Sequence, residues 1–237
     1  MSMEIEWIGV DPGRAEIGSQ NRSILFGDAG PRHMVELKYD FEISRKPVHI
    51  DEAKPLLESN ECEVASESEW KLAFEQGVVE GIDELEKLSD RFRGDYWGKE
   101  LDGRPISLED WTFRIAKKWK GGVPKTCLIN SQQSEPEYVR LKRFEELSER
   151  DTNPPRLPSQ RDTAKLIREE VSVVIIAGVT PSFIWAYFNA TEGYIQTGWP
   201  GLILGGIILG LATGIFWRPK TTSYRIGRNC GKVKPNN

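Results

Sequence analysis

Histidine is nearly absent from this chain and cysteine is scarce: 237 residues include two histidines and three cysteines. Two imidazoles, His33 and His49, leave little room for a Ser/His/Asp constellation. Cys62, Cys127 and Cys230 are scattered without C-x-x-C spacing. That argues against a structural zinc site and a disulfide framework, and it suits a reducing cytoplasm. There is no excess of positive charge, since 32 Lys and Arg face 36 Asp and Glu for a net charge of −4, so no nucleic-acid partner is expected. The amino terminus, MSMEIEWIGV, lacks the basic start and apolar run of a signal peptide. Long apolar runs are missing before Val171, and the polar front part keeps the mean hydropathy of the whole chain at −0.47.

From 171 to 217 the composition reverses, and Glu192 is the one charged residue in that block. It divides into two apolar runs, 171–190 and 196–217, each about the 20 residues needed to cross a bilayer as a helix. The short connection predicts a tight helical hairpin. The second run reads GLILGGIILGLATGIF, a poor sequence for a helix in water but an ordinary one in lipid. The pairs Gly201/Gly205, Gly206/Gly210 and Gly210/Gly214 would let another backbone approach closely. Tyr194, Trp199 and Trp217 fit interfacial aromatic positions, and Pro181 predicts a kink in the first helix. Arg161, Lys165 and Arg168 precede the hairpin, and Arg218, Lys220, Arg225, Arg228, Lys232 and Lys234 come after it. Basic residues on both flanks and none between predict an integral membrane protein with both termini cytoplasmic, at the plasma membrane in a prokaryote. The basic tail is expected to touch anionic lipid.

These features divide the chain into a polar domain (1–147), a polar linker and juxtamembrane segment (148–170), the two spans, and a basic tail (218–237). A fragment ending at 150 is expected to fold alone. Within the domain, alternation predicts strands over 3–10 and 33–43. Asp51 can cap a short helix, and Ser66 with Glu69 forms the S-x-x-E capping box of another, with Gly77 to end it. Val79, Ile82, Leu85 and Leu88 have helical spacing and predict a further helix in 78–92. The acidic run 58–69 reads as a solvated face. The stretch 93–140 mixes aromatics with Gly and Pro and reads as irregular, with a last strand at 138–144.

The order of several short motifs resembles the formylglycine-generating enzyme and sulfatase-modifying-factor family. Trp7-Ile8-Gly9-Val10-Asp11-Pro12-Gly13 followed by Ile17-Gly18-Ser19 is similar to the family's opening strand and turn. Pro31, His33, Val35, Leu37, Phe41, Ile43, Pro47 and Val48 match its next strand, and Ser66-Glu67-Ser68-Glu69-Trp70 resembles its Thr-Glu-Ala-Glu-Trp helix start. Leu108-Glu109-Asp110-Trp111-Thr112 and Tyr138-Val139-Arg140-Leu141 are looser matches, so the resemblance spans about residues 5–144. It implies a compact α+β domain of C-type-lectin-like fold, in which His33 is structural. It also implies where chemistry would lie, and there the chain departs. Copper-binding members use two cysteines late in the domain, where this chain has Cys127 alone; iron-dependent relatives use three histidines. The Arg-Gly-Gly-Ser-Trp step is reduced to Lys118-Trp119-Lys120-Gly121-Gly122.

The expectation is therefore a membrane-anchored recognition or scaffolding protein without catalysis, cofactor or metal, whose partners are membrane lipid and another protein, which can itself be membrane-embedded. Trp97 and Trp111 are candidates to line a ligand groove, and Cys127 is the weak catalytic candidate. The alternatives are an oxidoreductase that converts a substrate cysteine, and an accessory subunit of a larger membrane complex.

Overall fold

The computed structural model of the chain describes residues 5–19, 29–144, 152–160, 163–191, 193–216, 224–228 and 230. It is α+β and divides into two compact units, one made of Met1–Ser159 together with Thr222–Asn237 and the other of Gln160–Thr221.

The first unit is built on short strands. β1 (Trp7–Val10), β4 (Phe41–Ser44), β11 (Leu141–Arg143) and β6 (Glu63–Val64) form one antiparallel sheet in that order. β5 (Val48–His49), β10 (Tyr138–Val139), β7 (Leu85–Phe92), β8 (Phe113–Lys120) and β9 (Val123–Asn130) form a second, with β10 parallel to β7. β2 (Gly13–Ile17) and β3 (His33–Leu37) make a separate hairpin. The strand expected over 33–43 is thus two strands, β3 and β4. The one expected over 138–144 is likewise divided at Arg140, so that each half serves a different sheet.

Two of the expected helices are present. α1 (Ile50–Glu58) forms where expected, but its cap is His49, whose Nδ1 accepts from Asp51 N–H, and not Asp51; α2 (Glu67–Glu75) carries the complete capping box of Ser66 and Glu69. Gly77, at φ +74°, follows α2 in the left-handed conformation that glycine adopts without strain. The helix expected in 78–92 is instead strand β7. Its inward positions alternate as Glu86, Leu88, Asp90 and Phe92, all 0% exposed, and two carboxylates in that series hide the period of two from a hydrophobicity reading. The stretch read as irregular contains the long β8–β9 hairpin. Gly121 and Gly122 both have positive φ and form its two-residue turn, the conformation that favours glycine.

The expected boundary at 147 falls short of the observed unit. Leu157, from the supposed linker, is 3% exposed in the main core. Its segment is held by hydrogen bonds from Leu157 N–H to Lys99 O (2.9 Å) and from Gly98 N–H to Pro158 O (2.9 Å). The tail returns as well. Tyr224 bridges to His33 beside β3, Met34 N–H donates to Tyr224 O (2.9 Å), and Cys230 is buried in the same core.

The second unit is a helical hairpin. α3 (Thr163–Val174), a π turn (Ile175–Val179) and α4 (Thr180–Asn189) form its first arm and α5 (Tyr194–Phe216) its second. Ile167–Asn189 and Tyr194–Thr213 are long and apolar enough to cross a membrane, and 11% of each apolar window is buried. A core hairpin of a soluble protein would be mostly covered; here Ile176, Tyr187, Phe188 and Leu204 are all exposed. At Pro181 the helix widens rather than breaks. Thr180 N–H reaches back five residues to Ile175 O, and the π turn lies immediately before the proline, whose ring would crowd an ordinary turn.

Because Leu157 is a core residue, Leu157→Ala should lower stability by about 2–4 kcal/mol. Urea unfolding of the full-length protein in mild detergent measures this. An unchanged midpoint would show that 152–159 is not part of the folded unit.

Candidate functional site

The first turn of α2 is where the domain's ionisable groups converge. Ser66 N–H donates to Glu69 Oε2 (2.7 Å) and Glu69 N–H donates to Ser66 Oγ (3.2 Å), which closes the capping box. The other Glu69 oxygen accepts from Tyr39 OH (2.8 Å) and Lys142 Nζ (2.5 Å). Glu67 accepts from Lys117 Nζ (2.7 Å) and Tyr96 OH, while its backbone N–H donates to Asp90 Oδ2 (2.6 Å). Asp90 Oδ1 pairs with Lys99 Nζ at 2.7 Å. Glu86 accepts from Arg140 Nε (2.7 Å) and from the indoles of Trp70 and Trp119. Burial pushes the Glu67 carboxyl up, but the Lys117 charge and hydrogen bonds from Lys117 and Tyr96 outweigh it and hold the group below the usual range. The acidic run read as a solvated face therefore ends in two buried structural carboxylates, Glu67 and Glu69. The capping-box spacing marked Glu69; no sequence signal marked its cation, Lys142.

Beside this cluster lies a cleft of about 490 Å³ whose lining includes Glu16, Arg32, Glu67, Trp70, Lys71 and Lys117. Its floor is already occupied chemically. Lys117 donates to Glu67 and Thr126, and its ammonium sits 4.9 Å from the Trp70 ring centroid. Neither Trp97 nor Trp111 lines this cleft. Trp97 meets the ring of Tyr224 edge-on at 5.5 Å and so helps hold the returning tail.

Trp111 occupies a different setting, on the outward face of the five-stranded sheet. The guanidiniums of Arg91 and Arg114, directly opposite each other on β7 and β8, lie 5.6 and 5.2 Å from its ring centroid. Glu135, from the connection 131–137, bridges Arg114 (2.9 Å) and Lys87 (2.6 Å). Cys127 shares the register row Lys87–Ala116–Cys127 across β7, β8 and β9, which puts it on the same face. The next row, Leu85–Lys118–Lys125, adds two exposed lysines. The sequence showed these cations, but not that one face of one sheet collects them.

The cysteines do not come together. Cys62 packs in a second, smaller core cluster and Cys230 in the main one, and burial pushes both thiols up to about 11. Such thiols stay protonated near neutral pH. Among the described residues no group of three His, Cys, Asp or Glu side chains could hold a metal ion.

In the helical hairpin the glycines separate by face. A Cβ at Gly206 would lie 2.6 Å from Val179 Cα, and one at Gly210 would lie 2.7 Å from Val174 Cα. Their counterpart is Gly178, in the π turn, where a Cβ would meet Gly206 O at 2.0 Å. Gly178 is the sole glycine of the first run, a signal that went unused. Gly201 and Gly205 have nothing within 4 Å at the corresponding position. The surroundings of Gly214 lie outside the described residues.

Neither a protein-family model, nor a curated protein, nor a solved structure matches the chain.

Gly206→Ile should separate the two arms and lower the thermal midpoint of the hairpin in detergent, while Gly205→Ile on the open face should leave it unchanged. Helical ellipticity against temperature distinguishes the two, and equal effects would overturn this division of faces.

His33 makes stability depend on pH. It is 0% exposed, Nδ1 is 2.7 Å from Pro31 O, and buried Nε2 has no hydrogen-bond partner among the described residues. Burial, together with a smaller contribution from Lys99, lowers its pKa from 6.5 to about 4 although the Pro31 carbonyl opposes this. The unfolded chain then binds the proton more tightly than the folded one. The stabilisation is complete above about pH 6.5 and is lost as pH falls toward 4, by about 3 kcal/mol. Urea midpoints across that window should fall in the wild type and stay flatter in His33→Phe.

Proposed function

We propose that the protein is a membrane-anchored recognition or scaffolding protein. In this reading its soluble unit is a compact, non-catalytic domain resembling formylglycine-generating enzymes, and its hairpin is the anchor. The observation that carries the reading is how the ionisable groups are used. Glu67, Glu69, Glu86 and Asp90 are each committed to a buried cation, so they serve the fold. Groups committed in this way are poorly placed to take up a substrate proton.

The anchor reading is supported by the two apolar helices with their exposed flanks. The orientation is supported by the basic residues on both sides of the hairpin. It is supported too by the return of Tyr224 and Cys230 to the unit that precedes the spans, which an even number of crossings permits. Membrane lipid and a second protein are the partners.

Cross-linking of the intact protein in its own membranes tests this. A defined protein adduct through the soluble unit is expected, together with labelling of both termini from the cytoplasmic side. A copper-dependent conversion of a peptide cysteine that disappears in Cys127→Ser would replace the reading with an oxidoreductase.

A further inference from the structure

The outward face of the five-stranded sheet is unbalanced in charge. Lys87, Arg91 and Arg114 surround a single carboxylate, Glu135, and Lys118 and Lys125 extend the cationic row. Among the described residues Arg91, Lys118 and Lys125 have no ion-pair partner. Arg91 and Arg114 face each other across β7 and β8 as a like-charged pair, an arrangement that costs stability unless an anion or a π face relieves it. Trp111 supplies the π face. Arg114 is 5% exposed, and its Nε is buried without a hydrogen-bond partner among the described residues. Burial and the neighbouring Arg91 both disfavour its charge, and Glu135 opposes them.

We propose that this face is a docking surface for an acidic peptide segment of a partner protein, with Glu135 as the chain's own occupant of the carboxylate position. The inference rests on the recognition reading and gives it a partner chemistry. Glu135 is half exposed, at 50% of its side chain, and sits on a loop. With half of its side chain in solvent, it can exchange with an incoming carboxylate that takes over its ion pairs. Its departure would leave Arg114 buried and uncompensated, so what replaces it must itself be anionic. The resident sequence, Ser134-Glu135-Pro136-Glu137, is an acidic, proline-bearing segment with two carboxylates, and that indicates the kind of peptide the surface accepts. The guanidiniums suit carboxylates geometrically, and the Trp111 indole beside them adds an aromatic surface to the site.

The test uses full-length protein in nanodiscs of zwitterionic lipid and a fluorescent peptide, acetyl-Ser-Glu-Pro-Glu-Glu-Asp-amide, read by anisotropy. Saturable binding that weakens with salt is expected. In Glu135→Gln the resident competitor is removed, and affinity should rise about tenfold. In Arg91→Gln, an exposed change that leaves the core intact, affinity should fall about tenfold. Equal binding of the peptide with glutamine at every acidic position would overturn the proposal, as would no binding to either wild type or Glu135→Gln. Vesicles of phosphatidylserine, or inorganic phosphate, competing as strongly as the peptide would also overturn it, in favour of a general anion site. A protein adduct formed equally well by Arg91→Gln would sink this docking face while leaving the recognition reading intact.

Discussion

The structure of the soluble unit depends on neutralising charge in its interior. Four carboxylates and four cations are buried around the start of α2, and each pair joins separate elements of the fold. Lys142 of β11 meets Glu69, Lys117 of β8 meets Glu67, and Arg140, between β10 and β11, meets Glu86 on β7. Taking these charges from water costs several kcal/mol per ion, which is recovered only where geometry is good and every remaining donor is used. Arg140 comes close to that condition, since each of its three guanidinium nitrogens donates. Besides Glu86 it donates to the carbonyls of Ser44, Arg45 and Glu80, so one side chain fixes the place where the last strand leaves one sheet for the other. A core organised in this way gains definition more than raw stability, because a misplaced strand would isolate a charge rather than merely loosen packing.

Charge pairing also separates structural chemistry from chemistry left available. Inside, each of the four carboxylates is matched to a cation and aromatic rings pack around them: Trp70 stacks on Phe74 at 5.4 Å and meets Trp119 edge-on. On the outer face of the five-stranded sheet cations outnumber their partners. The two faces of β8 carry this contrast along one strand, with Lys117 turned to the inner pairs and Arg114 and Lys118 turned outward.

How much of the fold was legible in the sequence depended on how local each signal was. The capping box at Ser66, the glycine after α2 and the two apolar runs are short-range patterns whose physics is complete within a few residues, and all are present in the structure. Strand β7 was misread because buried Glu86 and Asp90 occupy positions where a hydrophobicity pattern expects apolar groups. The β8–β9 hairpin was missed for a related reason, since lysines on both faces of β8 mask its alternation. Among the site residues, Trp111 sits in a charged setting that only strand pairing creates, and Trp97 proves to be a contact for the tail. Gly206 and Gly210 were legible as a pair, but their use required Gly178 and the π turn before Pro181, which no single-run pattern shows. The participation of 152–159 in the core was hidden because a polar, proline-bearing stretch offers one apolar side chain, Leu157, rather than a period.

The discontinuity of the soluble unit has a consequence for its synthesis. Chains emerge from the ribosome amino end first, and Tyr224 and Cys230 are made after both apolar helices. The core that holds His33, Leu157 and Cys230 can therefore be completed only when the whole hairpin has left the ribosome. Closing the domain thus waits on synthesis of the whole hairpin, an order written into which residues make up the core.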